Sequence, residues 1–246
     1  MKQVGIIGCG AIGSLIADAA KRGIVPCDGL IVYDSKRDCA ERVADSMSFP
    51  VIVAESVDDM IRHKPAVIVE AASQQAVRDY SGMVLSAGID FIVMSVGALL
   101  DLDLDNGRVH VPSGAIGGLD AVRSAALAGI SEVILTSRKN PRALDRSERE
   151  EKCIYDGFAE EAVKLFPREM NVAATLALAA RPARVRVKVV SDPKVDRNVH
   201  EVHVEWKHGE MFFRFLNDPH PDNPKTSALA AWSAISLLRD ILAKFP

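Results

Sequence analysis

The feature that most constrains how this chain folds is a glycine pattern of the form GxGxxG at residues 8–13. It follows the short apolar run Gln3 to Ile7 and precedes a stretch whose apolar residues recur at helical spacing. Alone the pattern is weak evidence, because glycine turns also occur in parallel sheets that bind nothing. Its weight depends on whether a strand, a turn, a helix and a second strand surround it in that order.

The neighbouring residues supply each of these parts. Ala11 to Lys21 predicts a helix with one apolar stripe, and Gly23 ends it. Leu30 to Asp34 predicts a second buried strand, which closes on a carboxylate 21 residues after Gly13. That distance is typical of dinucleotide-binding units, in which the glycines allow a tight turn, close approach of a pyrophosphate and close helix packing, while the helix N-terminus attracts the phosphates. The predicted cofactor-binding residues of this unit are Gly8, Gly10, Ala11, Ile12, Gly13 and Asp34.

Strands continue to alternate with helices up to about residue 110. This rhythm predicts right-handed crossovers, a parallel sheet covered on both faces, and a Rossmann domain over residues 1–110. Ligands of such sheets bind beyond the carboxyl ends of the strands, so the residues that follow two of the strands should line the cofactor cleft, although ordinary loop turns explain them equally well. These residues are Ala71, Ala72 and Ser73 after one strand, and Val96 and Gly97 after another.

Beyond residue 110 the strands begin to alternate polar and apolar residues. In residues 184–189 three valines and three cations fall on opposite faces, which is typical of a sheet with one open face. Residues 199–206 and 211–216 predict a hairpin. We therefore predict an α/β protein in which the N-terminal Rossmann parallel sheet is followed by an α+β domain, residues 111–222, with a mainly antiparallel sheet. A C-terminal helix within 223–246 should pack back on the first domain.

Composition excludes several classes of partner. The chain has 30 basic and 33 acidic residues, a net charge of -3 and no dense block of lysine and arginine, so we expect no nucleic-acid partner. No apolar run approaches the roughly 20 residues that span a bilayer, and the first residues resemble neither a signal peptide nor a transit peptide, so we expect no membrane association. The four cysteines lack CxxC spacing, which predicts reduced thiols in a cytoplasmic protein and no metal site.

Two histidines lie on one predicted strand and point to opposite faces. A period of two groups His200 with Val202, Val204 and Trp206, and it groups His203 with carboxylates. Burial disfavours the imidazolium, so His200 should be neutral and able to accept a proton, whereas His203 should stay charged on the open face. A core histidine that donates to a backbone carbonyl is the competing interpretation of His200.

Motifs along nearly the whole chain resemble those of L-aspartate dehydrogenases of the archaeal and bacterial type. Most of them are more specific to that family than the glycine loop is. They are GIIGCGAIG, VEAASQQAV, SGAIGGLDA at 113–121, TSRKNPR at 136–142, FPREMNVAATLALA at 166–179, NVHE at 198–201 and NPKTSALAA at 223–231.

The resemblance implies NAD(P)-dependent oxidation of L-aspartate to iminoaspartate, a step that feeds NAD biosynthesis, or the reverse reductive amination of oxaloacetate with ammonia. It further implies that Ala115 and Asn171 contact the cofactor and that His200 is the active-site residue. Asp34 should accept hydrogen bonds from ribose hydroxyls and repel a 2′-phosphate, which predicts NAD as the preferred cofactor over NADP. Lys36 and Arg37 should soften that preference.

The two carboxylates of aspartate need cations and N–H donors once they are desolvated. Ser113 with its following backbone, and Lys225 with Thr226 at the start of the last helix, are the candidate substrate-binding groups. A helix-capping turn with a solvated lysine explains Lys225 and Thr226 equally well. The connector at residues 98–112 is shorter than is usual in the family, which leaves the contacts near Asp101 to Asp105 open.

Two other interpretations stay open. One is another oxidoreductase of similar build, such as a homoserine dehydrogenase or a dihydrodipicolinate reductase. The other is a non-catalytic protein that senses NAD(H) through a Rossmann fold without turnover. A homodimer is the expected assembly, although no pattern in the sequence specifies it.

Overall fold

The computed structural model describes residues 2–102, 104, 107–167, 169–220 and 223–245. Two residues of the short connector, Asp103 and Asp105, lie outside the described residues. The contacts near Asp101 to Asp105 that the sequence left open are therefore described only in part. The chain divides into two compact units. The first contains the residues up to Pro112 together with those from Ala231 onward, and the second runs from Ser113 to Ala230.

The first unit contains a six-stranded sheet in which all pairs are parallel. Its strands are β1 (Gln3–Ile7), β2 (Gly29–Tyr33), β3 (Val51–Val53), β4 (Val67–Glu70), β5 (Asp90–Val93) and β6 (Val109–His110). Their order is β3-β2-β1-β4-β5-β6, so the strand order reverses between β1 and β4. In open α/β sheets such a reversal leaves a crevice at the carboxyl ends of the two strands, where ligands bind.

Helices follow the strands of this sheet, as the alternating rhythm predicts. They are α1 (Ala11–Lys21), α2 (Arg37–Asp45), α3 (Val57–Arg62), α4 (Gln74–Ser86) and a 3₁₀ helix at Val96–Leu100. Every residue of β4 and four of the five residues of β1 are buried. A parallel sheet that is covered on both faces needs such continuous apolar runs, which is why these strands show no polar alternation.

The second unit is built on a five-stranded sheet and three helices. The elements are α5 (Leu119–Ala128), β7 (Ile130–Lys139), β8 (Lys152–Phe158), α6 (Ala159–Leu165), α7 (Asn171–Ala180), β9 (Val185–Ser191), β10 (Asn198–Trp206) and β11 (Gly209–Asn217). The strand order is β11-β10-β7-β9-β8. The predicted hairpin is β10 and β11, and three of the four pairs are antiparallel, so the predicted fold class is confirmed.

One pair of this sheet, β7 with β9, is parallel. Strand β8 and the helices α6 and α7 lie between these strands in the chain, and β8 runs antiparallel to β9, so it returns the chain to the end of the sheet where β9 starts. A parallel pair requires a crossover of this kind, whereas a short turn can join only antiparallel neighbours. The valine and cation alternation at 184–189 is compatible with either direction, because it reports one open face and not strand polarity.

The C-terminal helix expected within residues 223–246 is present, but it does not include the first residues of that range. Residues Asn223–Ser227 form a strand, β13, paired with the short strand β12 (Pro219–His220), and the helix α8 spans Ala228–Leu242. The pairing of β13 with β12 holds these residues in an extended conformation, and Pro224 disfavours a helical conformation for Asn223. No helix within the described residues combines the length and apolar character needed to cross a lipid bilayer.

Candidate active site

The glycine loop between β1 and α1 has the geometry that a pyrophosphate site needs. Gly8 has a φ of +94°, and a Cβ there would lie 2.7 Å from the carbonyl oxygen of Ala71. A Cβ on Gly13 would overlap the carbonyl oxygen of Gly8. A Cβ on Gly10, by contrast, would meet no atom within 4 Å. The chain itself therefore requires the first and third glycines, while the second leaves open space in front of the loop.

The N-terminus of α1 faces that open space. Gly10 is its N-cap residue and offers no side-chain acceptor, and the first turn contains no acidic residue. The first N–H groups of a helix are not used inside the helix, and the helix dipole adds partial positive charge there. A cofactor pyrophosphate fits this arrangement, because its oxygens supply the acceptors that the loop lacks.

Asp34 lies directly after β2 and beside the glycine loop. Its carboxylate accepts hydrogen bonds from the backbone N–H groups of Cys9, at 2.8 Å, and Lys36, at 2.9 Å. It borders a cavity of about 170 Å³ that Gly8, Ala72 and Ser73 also line. The structure thus brings four of the predicted cofactor residues around one cavity. The cavity is smaller than the roughly 300–1,000 Å³ sites of drug-sized ligands, so it has room for only part of a molecule as large as a dinucleotide.

Ser73 has a second role that the sequence analysis missed. Its hydroxyl accepts a hydrogen bond from the backbone N–H of Ala76 at 3.1 Å and so caps the N-terminus of α4. Ser73 precedes the first helical residue directly, which is the signal by which sequence reasoning could have found this role.

Glu70, the last residue of β4, was also missed. Its side chain is fully buried. One carboxylate oxygen accepts hydrogen bonds from the backbone N–H groups of Ala72 and Ser73 and from the hydroxyl of Ser95, each at 2.8 Å, and the other accepts from the backbone N–H of Ser95 at 2.9 Å. Burial raises the pKa of this carboxyl, and the hydrogen bonds from Ser95, Ala72 and Ser73 oppose that rise. In the sequence, Glu70 is the one charged residue in an otherwise apolar predicted strand, and this exception could have identified it as a functional residue.

In the second unit, His200 lies on the covered face of β10 with an exposure of 2%. Its Nδ1 is 2.8 Å from the hydroxyl oxygen of Ser137, which stands opposite it on β7. Burial and, to a lesser extent, the positive charge of Lys139 together lower the pKa of His200 to about 3. The imidazole is therefore neutral near pH 7, as the strand parity predicted. His203 faces the other way and contacts Glu210 at 3.2 Å.

The polar residues near His200 are concentrated at one end of the covered face. Val133 and Leu135 on β7 are buried, and the same face continues with Ser137 and Lys139, which are 1% and 2% exposed. Asn198, two residues before His200, is also buried and donates to the hydroxyl of Ser227 at 3.3 Å. Sequence reasoning missed Ser137, Lys139 and Ser227. On β7 a period of two places Lys139 on the same face as Val133 and Leu135. A lysine on an apolar face was the signal that could have identified it.

The loop that contains Ser113 and Ala115 leads into α5. Ala115 is buried, and its carbonyl oxygen accepts a hydrogen bond from Asn217 of β11 at 2.9 Å. Gly117 of the same loop lies against the ring of Phe215, the residue that stands opposite His200 across the β10 and β11 pair. The loop therefore packs on the sheet close to the strand of His200.

Asn171 is the first residue of α7, and the cap position belongs to Met170. Helices α5 and α7 pack against each other within the second unit. The expectation that Lys225 and Thr226 begin the last helix is wrong, because both lie within β13, which pairs with β12, and α8 starts at Ala228. The neighbouring Ser227 is the residue of that motif which reaches Asn198.

Comparisons with known proteins agree with this geometry. Residues 120–241 match the family model "Aspartate dehydrogenase, C-terminal", and residues 8–107 match "Homoserine dehydrogenase, NAD binding domain". The chain is 43% identical to the L-aspartate dehydrogenase of Methanothermobacter thermautotrophicus over 98% of this chain and 96% of that protein. It is 40% identical to that of Archaeoglobus fulgidus over 97% of each.

The fold is similar to a solved structure of aspartate dehydrogenase from Thermotoga maritima, with a TM-score of 0.76, 28% identity and coverage of 100% and 99% of the two chains. A myo-inositol dehydrogenase from Sinorhizobium meliloti, at 15% identity and a TM-score of 0.55, shares the fold alone. The chain is 40–43% identical to these two dehydrogenases over nearly its full length, and its second unit matches the family model. This chain therefore belongs to the aspartate dehydrogenase family.

Proposed function

We propose that this protein oxidises L-aspartate to iminoaspartate with NAD(P), or runs the reverse reductive amination of oxaloacetate with ammonia. The observation that carries the proposal is the buried, neutral His200 at the polar end of the second sheet, in a chain whose relatives are named L-aspartate dehydrogenase. The first unit alone does not separate this reaction from that of a homoserine dehydrogenase. The match of the second unit to the aspartate dehydrogenase model does favour it.

The nicotinamide cofactor supplies the hydride acceptor at its C4 atom. On the protein side, the glycine loop and the start of α1 hold the pyrophosphate, and Asp34 accepts from the adenosine ribose. Ala72 and Ser73 border the same cavity. Ala11, Ile12, Ala115 and Asn171 complete the proposed set of cofactor contacts. We propose NAD as the preferred cofactor, because a carboxylate at position 34 repels a 2′-phosphate.

His200 is the proposed proton carrier for the substrate amine. Ser137 engages Nδ1, so Nε2 is the ring nitrogen that would face the amine. A neutral imidazole can accept a proton when the amine loses one as hydride leaves the α-carbon, a role typically worth about 10²–10⁴ in rate. The carboxylates of bound aspartate raise the pKa of His200 toward neutrality, which makes the transfer easier when substrate is present.

The substrate carboxylates need positive partners close to this histidine. Lys139 is buried on the same face of the sheet, and its charge acts on His200, so we add it to the proposed substrate groups. Ser113, Lys225 and Thr226 are the remaining candidates. Ser137 and Lys139 follow each other at a spacing of two on β7, which brings a hydroxyl and a cation to one edge of the polar cluster.

We also propose a homodimer, a cytoplasmic location and a role in pyridine nucleotide biosynthesis. Support for the dimer comes from the open face of the second sheet, where Phe212 and Leu216 are 63% and 49% exposed. Phenylalanine is enriched in interface cores, and Leu216 extends the exposed apolar surface on the same strand. Their replacement by serine, followed by measurement of molar mass in solution, tests the dimer.

A spectrophotometric assay of aspartate-dependent reduction of NAD and NADP, with homoserine as the competing substrate, tests the reaction. Aspartate should support reduction and homoserine should not. Reduction with homoserine alone would assign the chain to the other oxidoreductase class. Cofactor binding without reduction by either substrate would favour a sensing role.

A further inference from the structure

Glu70 is a fully buried carboxylate at the carboxyl end of β4, and both of its oxygens accept hydrogen bonds. Burying a carboxylate is costly unless donors surround it. Here three backbone N–H groups and one hydroxyl, from Ala72, Ser73 and Ser95, supply those donors. The side chain therefore joins the loop after β4 to the loop after β5.

The loops that Glu70 joins are those of the cofactor site. Ala72 and Ser73 border the cavity beside Asp34. The backbone of Ala71 and Ala72 is also the surface on which Gly8 packs, with an added Cβ only 2.7–2.8 Å away. Ser95 directly precedes the 3₁₀ helix Val96–Leu100. One carboxylate thus fixes the shape of the loops after β4 and β5, and through Ala72 it supports the glycine loop after β1.

We propose that Glu70 is a positioning residue of the cofactor site, which holds the loops after β4 and β5 in the arrangement that binds a nicotinamide dinucleotide. The proposal rests on the proposed use of NAD(P). It predicts that Glu70 controls cofactor affinity without touching the reacting atoms.

The substitution Glu70→Gln tests it with the least change of shape. If the amide oxygen takes the position that accepts three hydrogen bonds, the amide NH₂ faces the backbone N–H of Ser95, and two donors then oppose each other. In the opposite orientation the NH₂ faces the two backbone N–H donors of Ala72 and Ser73, and only the hydroxyl of Ser95 can turn to accept from it. Either way a loop must move, so we expect the dissociation constant for NAD, measured by calorimetry without aspartate, to rise at least about tenfold.

Two further variants separate positioning from general stability. Val84→Ala removes packing from the buried side of α4 in the same unit, away from Glu70, and should lower Tm while the NAD dissociation constant stays within about twofold. Ser95→Ala removes the single hydroxyl donor and should raise the NAD dissociation constant by about threefold. At saturating NAD, the KM for aspartate of Glu70→Gln should remain near that of the parent.

If Glu70→Gln binds NAD within threefold of the parent, or if Val84→Ala weakens NAD binding as much as Glu70→Gln does, the inference is overturned while the proposed function stands. A parent protein that binds neither NAD nor NADP overturns the proposed function and the inference with it. If Glu70→Gln does not fold, Ser95→Ala decides, and unchanged affinity in that folded variant overturns the inference.

Discussion

The two units build their sites in different ways. In the first, the candidate site is made mainly of backbone: Gly8 and Gly13 matter for the Cβ they lack, and α1 contributes N–H groups. In the second, side chains from separate strands make the site, since Ser137 and His200 are 63 residues apart in the chain. A backbone site is encoded within one short segment, whereas the side-chain cluster exists only when β7 and β10 pair. Variants of the first unit should therefore change cofactor binding, and those of the second should change chemistry.

The sharpest test of this division is His200→Ala. We expect kcat to fall at least about a hundredfold, because a general base is lost, while the NAD dissociation constant stays the same. His203→Ala, on the open face of the same strand, is the matched control and should remain within a few-fold of the parent. Steady-state kinetics with calorimetry for NAD checks both. If the two variants have equally mild effects on kcat, or if His200→Ala does not fold, His200 is a structural residue of the core and not the proton carrier.

The glycine loop offers a comparison within the first unit. Gly13→Ala places a methyl group on the carbonyl oxygen of Gly8 and should destabilise the unit by about 1–3 kcal/mol, as overpacking does. Gly10→Ala meets no protein atom, so Tm should hold while the NAD dissociation constant rises about tenfold. Thermal unfolding and calorimetry distinguish the two. A drop in Tm for Gly10→Ala equal to that for Gly13→Ala would contradict the open space, and an unchanged NAD dissociation constant would contradict its assignment to a phosphate.

The burial of neutral His200 predicts a pH dependence of stability. Its pKa is lowered from 6.5 to about 3, so between these values the unfolded chain binds a proton that the folded chain excludes. Stability from this group is complete above pH 6.5 and is lost as pH falls, by about 1.4 kcal/mol per pH unit. Urea unfolding at several pH values should show this slope, and His200→Gln should flatten it. His203→Gln should keep the slope, and a parent slope that survives in His200→Gln would refute the prediction.

Asp34→Ala tests the cofactor preference. Loss of the carboxylate removes both the ribose acceptor and the repulsion of a 2′-phosphate, so the ratio of kcat/KM for NAD over NADP should fall about tenfold, or about 1.4 kcal/mol. The kcat at saturating cofactor should change little. Lys36→Ala should move the ratio in the opposite direction. If the NAD over NADP ratio is unchanged in Asp34→Ala, another residue contacts the adenosine ribose and sets the cofactor preference.

Asn171→Ala tests an exception to the rule that the first unit binds the cofactor and the second performs the chemistry. Asn171 belongs to the second unit and is proposed to bind the cofactor. We expect the NAD dissociation constant to rise roughly threefold, the loss of one modest hydrogen bond. Tm should change little, since Met170 and not Asn171 occupies the cap position of α7. A lowered Tm with unchanged NAD affinity would leave Asn171 with a structural role only.

Sequence reasoning was most successful where local patterns carry the information. The βαβ unit around Gly8 and Asp34, the hairpin of β10 and β11, and the buried side of His200 all follow from spacing. It failed at Lys225 and Thr226, which it assigned to the start of the last helix and which lie in a strand paired with β12, and it missed Glu70. A buried carboxylate in an apolar strand has no local explanation until the loops that donate to it are known.

The sequence by itself determined the alternation of strands and helices in the first unit, the glycine loop and the covered face of β10, because steric limits and periodicity act between near neighbours. Only the tertiary structure placed Ser137 opposite His200, brought Lys139 to the same face, and set Ser95 against Glu70. Strand register and the closure of loops decide these contacts. They depend on packing between residues far apart in the chain, and no short stretch of sequence specifies that packing.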